Sequence, residues 1–182
     1  MEVTAVTENI TSCMPIKVPP YEHQKKAFAF ACEKFGIMDE LPKNRGTALL
    51  MEMGTGKTLV SIAIAGTMYR AGKIRRVLIV APLSILGVWE EEFAKFAAFP
   101  YSLTVLQGTV AKKKEQLAKL PDSGLQVVVV NYESAWRLEK DLLTYNADLI
   151  IADEAHKLKD SRTSQSKGLH HLGDRARYKL LL

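Results

Sequence analysis

Apolar runs rich in valine, isoleucine and leucine recur along the chain at positions 47–51, 77–81, 103–106, 127–130, 149–152 and 178–182. Each is strand-sized and apolar at nearly every position, the mark of a strand buried on both faces. Between them lie stretches with helical spacing. At 23–35, for example, Ala27, Phe28, Ala31, Cys32 and Phe35 fall on one helical stripe. Strands alternating with helices imply right-handed crossovers and a mostly parallel sheet covered on both sides, a three-layer α/β/α sandwich. Residues 1–18 show no clear period and read as an N-terminal arm, either mobile or laid over the domain. Residues 19–182 read as one lobe. On the helix after position 85, Leu86, Trp89, Phe93 and Phe96 repeat at successive turns, which makes Trp89 a core residue rather than a stacking platform.

With 182 residues, 47% hydrophobic and 25% charged, the chain can bury one core but not two full ones. The apolar runs fall far short of the roughly 20 residues that cross a bilayer. The start carries no basic, then apolar, secretory pattern. An intracellular place, cytoplasmic or in the nucleoid or nucleus, is therefore expected, with no membrane partner. Cys13 and Cys32 show no metal spacing. The net charge of +5 is compatible with a polyanionic partner, because lysine and arginine displace counterions from a phosphate backbone. The cluster Lys112, Lys113 and Lys114 reads as the solvated face of a helix.

Two constellations carry chemistry. The first strand runs into Gly54, Thr55, Gly56, Lys57 and Thr58, and an apolar helix follows. Glycines let the backbone curl so that amides face an anion, and the helix adds its positive end. Lys57 can reach terminal phosphates, and the Thr58 hydroxyl can ligate magnesium. The order strand, glycine loop and helix points to a nucleoside triphosphate, ATP with Mg²⁺. The first glycine of the strict G-x-x-x-x-G-K-[ST] pattern is replaced by Met51. The second constellation is Asp153, Glu154, Ala155 and His156, at the end of another apolar strand. Beside a bound triphosphate, Asp153 suits the metal and its waters, and Glu154 suits orienting or deprotonating an attacking water. His156 suits a link from the nucleotide site to other surfaces.

At MEMGTGKT and IADEAHKLKDSRTSQSK the chain resembles the superfamily 2 helicase-like ATPases, in particular their Swi/Snf-type branch. VLIVAPLSILGVWEEEFAKF and VVVVNYESAW resemble that branch's motifs Ia and Ib. Pro20, Tyr21, Glu22, His23 and Gln24 resemble its Q motif. The resemblance implies a RecA-like first lobe of a two-lobed motor, with Gln24 reading adenine. It places Ser84, Asn131 and Tyr132 against the phosphates of one strand of duplex DNA. It also implies translocation without strand separation, and a missing second lobe that supplies arginine fingers. Such arginines are worth ~10³ to 10⁵ in rate, so the isolated chain is expected to hydrolyse ATP poorly. An RNA helicase, a restriction-type motor subunit and a non-hydrolysing nucleotide-binding regulator remain open alternatives.

Overall fold

Each of the six apolar runs forms a strand: β1 (Gly46–Ala48), β2 (Arg76–Ala81), β3 (Tyr101–Val105), β4 (Leu125–Asn131), β5 (Leu149–Ala152) and β6 (Tyr178–Leu181). The computed structural model describes residues 14–37, 43–52, 54–155, 160 and 162–182. Among them the strands make one sheet, ordered β1-β6-β5-β2-β4-β3, with every pairing parallel. The expected sandwich is therefore present.

Seven α-helices are described: α1 (Glu22–Lys34), α2 (Lys57–Arg70), α3 (Leu86–Phe96), α4 (Val110–Ala118), α5 (Tyr132–Arg137), α6 (Glu139–Tyr145) and α7 (Ser164–Arg175). Alternation along each strand divides the core into two. Val77, Ile79, Val127, Val129, Leu149 and Ile151 pack under α1, α2 and α3. Leu78, Val80, Val128, Val130 and Ile150 point the other way, against α5, α6 and α7. Since successive side chains leave a strand on opposite faces, a run that is apolar throughout has both faces covered. Helix α2 is apolar on almost every side, from Leu59 to Ala65, because it is wedged between α1, α3 and the sheet. Its Gly66 leaves room for the Phe99 ring and Pro15, with which any Cβ at that position would collide.

The expectation for the first strand changes at its edge. Strand β1 ends at Ala48 rather than Met51. Leu49 N still donates to Leu181 O at 2.9 Å, but Met51 N then donates to Leu49 O, and this bend starts the glycine loop. The described end of the N-terminal arm lies over the domain. Ile16 bridges Ala97, Lys17 N donates to Phe96 O, and Met14, Ile16 and Val18 pack on the core.

Candidate functional site

The register of the sheet aligns one transverse row: Ala48 with Leu181, Leu181 with Ala152, Ala152 with Val80, and Val80 with Val130. Every candidate residue on the strand ends lies just beyond that row, at the carboxyl rim where open α/β sheets bind ligands. β6 alone separates β1, which leads into the glycine loop, from β5, which carries Asp153.

The loop has the shape its glycines allow. Gly54 and Gly56 take φ of +78° and +88°, in the left-handed region where a side chain is strained. Gly56 is the N-cap of α2, and the first helical bond runs from Val60 N to Gly56 O at 3.1 Å. The amides preceding Val60 therefore have no partner inside the helix and stand at its positive end. Lys57 Nζ curls back over the loop, donating to Met51 O at 3.0 Å and Glu52 O at 3.4 Å. The Thr55 hydroxyl donates to Glu52 O at 2.7 Å. Thr58 is half-buried in the first turn.

Gln24 braces this loop from α1. Its Nε2 donates to Thr55 O at 3.1 Å, and its Oε1 accepts from Tyr21 N at 2.9 Å. A Cβ on Gly56 would overlap the Gln24 amide, so the second glycine is required by a neighbour as well as by φ. His23 also reaches Thr55 O, at 2.9 Å. Each end of the Gln24 amide makes one bond here, which leaves one N–H and one oxygen lone pair to read a base.

Asp153 sits at the end of β5 with only 9% of its surface exposed. Burial pushes its carboxyl above the ordinary range, opposed by a hydrogen bond from the Trp89 indole, one from the Glu154 amide, and the Lys57 charge. Trp89 Nε1 donates to Asp153 Oδ2 at 3.2 Å. The Tyr132 hydroxyl donates to Asp153 O at 2.6 Å, and Asp153 N donates to Val80 O at 2.8 Å. The next residue, Glu154, is half-buried and has φ of +52°, an uncommon conformation for a side-chain-bearing residue. His156 lies outside the described residues.

A curled amide cradle with one lysine, beside a buried carboxylate and a threonine hydroxyl, suits a polyphosphate and a hard, oxygen-preferring cation. A family model described as the SNF2-related domain matches residues 21–182. The chain belongs to this family. Its SNF2-related domain is 31% identical over 154 residues to Switch 2 of Arabidopsis thaliana, covering 78% of this chain and 17% of that protein. It is 32% identical over 161 residues to the DNA repair and recombination protein RAD54 of Oryza sativa subsp. japonica, covering 82% and 16%. Among solved structures, the Sulfolobus solfataricus SWI2/SNF2 ATPase core in complex with dsDNA superposes with a TM-score of 0.76 at 26% identity, over 93% of this chain and 33% of that one. The chain thus spans about a sixth of the length of these plant relatives.

Within this SNF2-related domain the three candidate nucleic-acid residues differ in setting. Ser84 is exposed, in a 3₁₀ turn (Leu83–Ile85) after β2. Asn131 is nine-tenths buried, with no partner for its Oδ1 among the described residues, and borders an open cleft of about 540 Å³ shared with Lys113, Ser134 and Arg137. Tyr132 is turned inward, 6% exposed, with its hydroxyl on Asp153, so its side chain does not face a polymer in this structure. The lysine cluster also needs correction. Lys112 is exposed and Lys114 pairs with Asp141 at 3.2 Å, but Lys113 is 9% exposed and donates to Ser134 Oγ at 2.5 Å. Helix α4, whose start is capped by the Thr109 hydroxyl accepting from Lys112 N, turns Lys113 to the cleft and leaves Lys112 in solvent.

Trp89 is in the core as expected, 1% exposed beside Phe93. Its bond to Asp153, and that of Tyr132, were not legible in the sequence. The available signal was general: a buried indole or phenol needs a hydrogen-bond partner.

Proposed function

We propose that this chain is the ATP-binding first lobe of a motor that uses ATP hydrolysis to move along duplex DNA. The observation that carries the reading is the cradle itself: two left-handed glycines, free amides at the start of α2 and Lys57 Nζ, one strand away from a buried carboxylate.

Lys57 is held on two loop carbonyls, and a triphosphate entering the loop offers it stronger, charged acceptors. The amides of Gly54, Thr55, Gly56, Lys57 and Thr58 face the same guest. Thr58 and Asp153 supply hard oxygen donors of the kind Mg²⁺ takes, which keeps several waters and needs few protein ligands. Bound Mg²⁺ would neutralise charge on the phosphate oxygens. Glu154 follows Asp153 directly and would orient the attacking water and accept its proton. Gln24 tethers α1 to the loop and would report adenine occupancy to it, and His156 would connect the site outward. The second RecA-like lobe of a complete motor would add the arginine that the reaction needs.

For DNA, Ser84 and the cleft at Asn131 would meet backbone phosphates, which suits a motor indifferent to sequence. The Sulfolobus structure, which contains dsDNA, supports the choice of duplex. No helix among the described residues is long and apolar enough to cross a membrane.

The decisive experiment is calorimetry with ATP and Mg²⁺ on the chain and on Lys57→Ala. Micromolar or tighter binding is expected for the first, and a loss of at least tenfold for the second. Equal affinity would refute the cradle. In the complete protein, stimulation of ATPase by duplex DNA is expected; stimulation by RNA alone would replace DNA with RNA in the reading.

A further inference from the structure

Two side chains from different helices place their polar atoms on one residue. Trp89, on α3, gives its indole N–H to Asp153 Oδ2, and Tyr132, at the start of α5, gives its hydroxyl to the Asp153 carbonyl. Both are almost fully buried, at 1% and 6% exposed. The carbonyl that Tyr132 holds belongs to the peptide joining Asp153 to Glu154, the residue at φ +52°. Strained backbone persists only where its surroundings over-determine it. Here the main chain is held by Tyr132 and by Asp153 N on Val80 O, and the side chain is held by Trp89. We propose that Trp89 and Tyr132 are positioning residues that set the orientation of the Asp153 carboxylate and of the Asp153 to Glu154 peptide for the metal-bound nucleotide.

This rests on the reading that Asp153 serves Mg²⁺. A purely structural tryptophan would gain its packing without the carboxylate: Phe93 already lies against its ring, and phenylalanine would keep an aromatic ring there. The hydrogen bond is what distinguishes the two roles. Partners that orient a metal-side ligand typically change metal affinity on the order of tenfold or more when removed.

The test uses the 182-residue chain with Trp89→Phe and Tyr132→Phe, each removing one donor. ATP affinity is measured by calorimetry in EDTA and again with Mg²⁺. Both variants are expected to match wild type in EDTA. Trp89→Phe should then lose on the order of tenfold of the affinity that Mg²⁺ adds, and Tyr132→Phe a smaller part. Trp136→Phe, which alters a half-exposed ring, should lose none. If wild type gains affinity from Mg²⁺ and Trp89→Phe keeps the whole gain, the positioning role is wrong. If wild type itself gains nothing, the nucleotide–metal reading has failed and the positioning role with it.

An independent readout needs no Trp89 variant, in case that one does not fold. With Trp136→Phe leaving a single indole, the Trp89 N–H resonance of the labelled chain should shift on adding Mg²⁺ and ATP, and should shift again in Asp153→Asn. A resonance unmoved by both overturns the proposal.

Discussion

Gly56→Ala tests the glycine loop through its neighbour as well as its backbone. At φ +88° an alanine pays the left-handed penalty of roughly 1–2 kcal/mol, and its Cβ enters the space of the Gln24 amide. Gln24 must then swing away, releasing its bonds to Thr55 O and Tyr21 N, each worth about 1 kcal/mol. The single substitution should therefore destabilise the chain by about 3–4 kcal/mol. Gln24→Ala alone gives up the same two bonds and should cost about 2 kcal/mol. In the double variant the collision is gone, so only the left-handed penalty is added. The double-mutant cycle should show a coupling of about 2 kcal/mol between positions 24 and 56, read from urea unfolding midpoints of the four proteins. A coupling below about 0.5 kcal/mol, the scatter expected of independent sites, would mean that Gln24 does not brace the loop.

Asp153 makes stability depend on pH in a defined sense. Its folded pKa is raised by burial, so the native state binds more protons than the unfolded chain between the ordinary carboxylate value and the raised one, and stability falls as pH rises through that window. Asp153→Asn should remove this slope and raise the melting temperature of the nucleotide-free chain near pH 7, as scanning calorimetry across pH would show; a lower one would contradict a desolvated carboxylate. Ser134→Ala leaves the buried Lys113 ammonium without its hydroxyl acceptor and should cost about 1–3 kcal/mol in chemical denaturation. Lys113→Met, similar in shape and without the charge, should cost less than Ser134→Ala. The Cys32 thiol, buried with its pKa pushed up to about 12, should react with Ellman's reagent only as fast as the domain unfolds.

The layers of the fold were legible because they are written in local patterns. Unbroken apolar runs such as 127–130 can be satisfied only by burial on both faces, and Ala27, Phe28, Ala31 and Phe35 only by a helix with one buried side. The glycine loop was legible for the same reason: its requirement for positive φ is a property of Gly54 and Gly56 themselves. The position of the acidic cluster followed from the strand that precedes it.

What the residue order could not state is which elements meet. β1 lies beside β6 rather than β2, and β2 sits between β4 and β5, because strand order is settled by crossovers and packing shared across the whole sheet. The same holds for side chains. Lys113 reads as a solvated lysine until α4 is placed against Ser134, and Tyr132 reads as an outward contact until α5 turns it onto Asp153. Periodicity tells a residue that it is buried, through its neighbours along the chain; only the assembled sheet, joining positions 64 residues apart as at Trp89 and Asp153, decides against what.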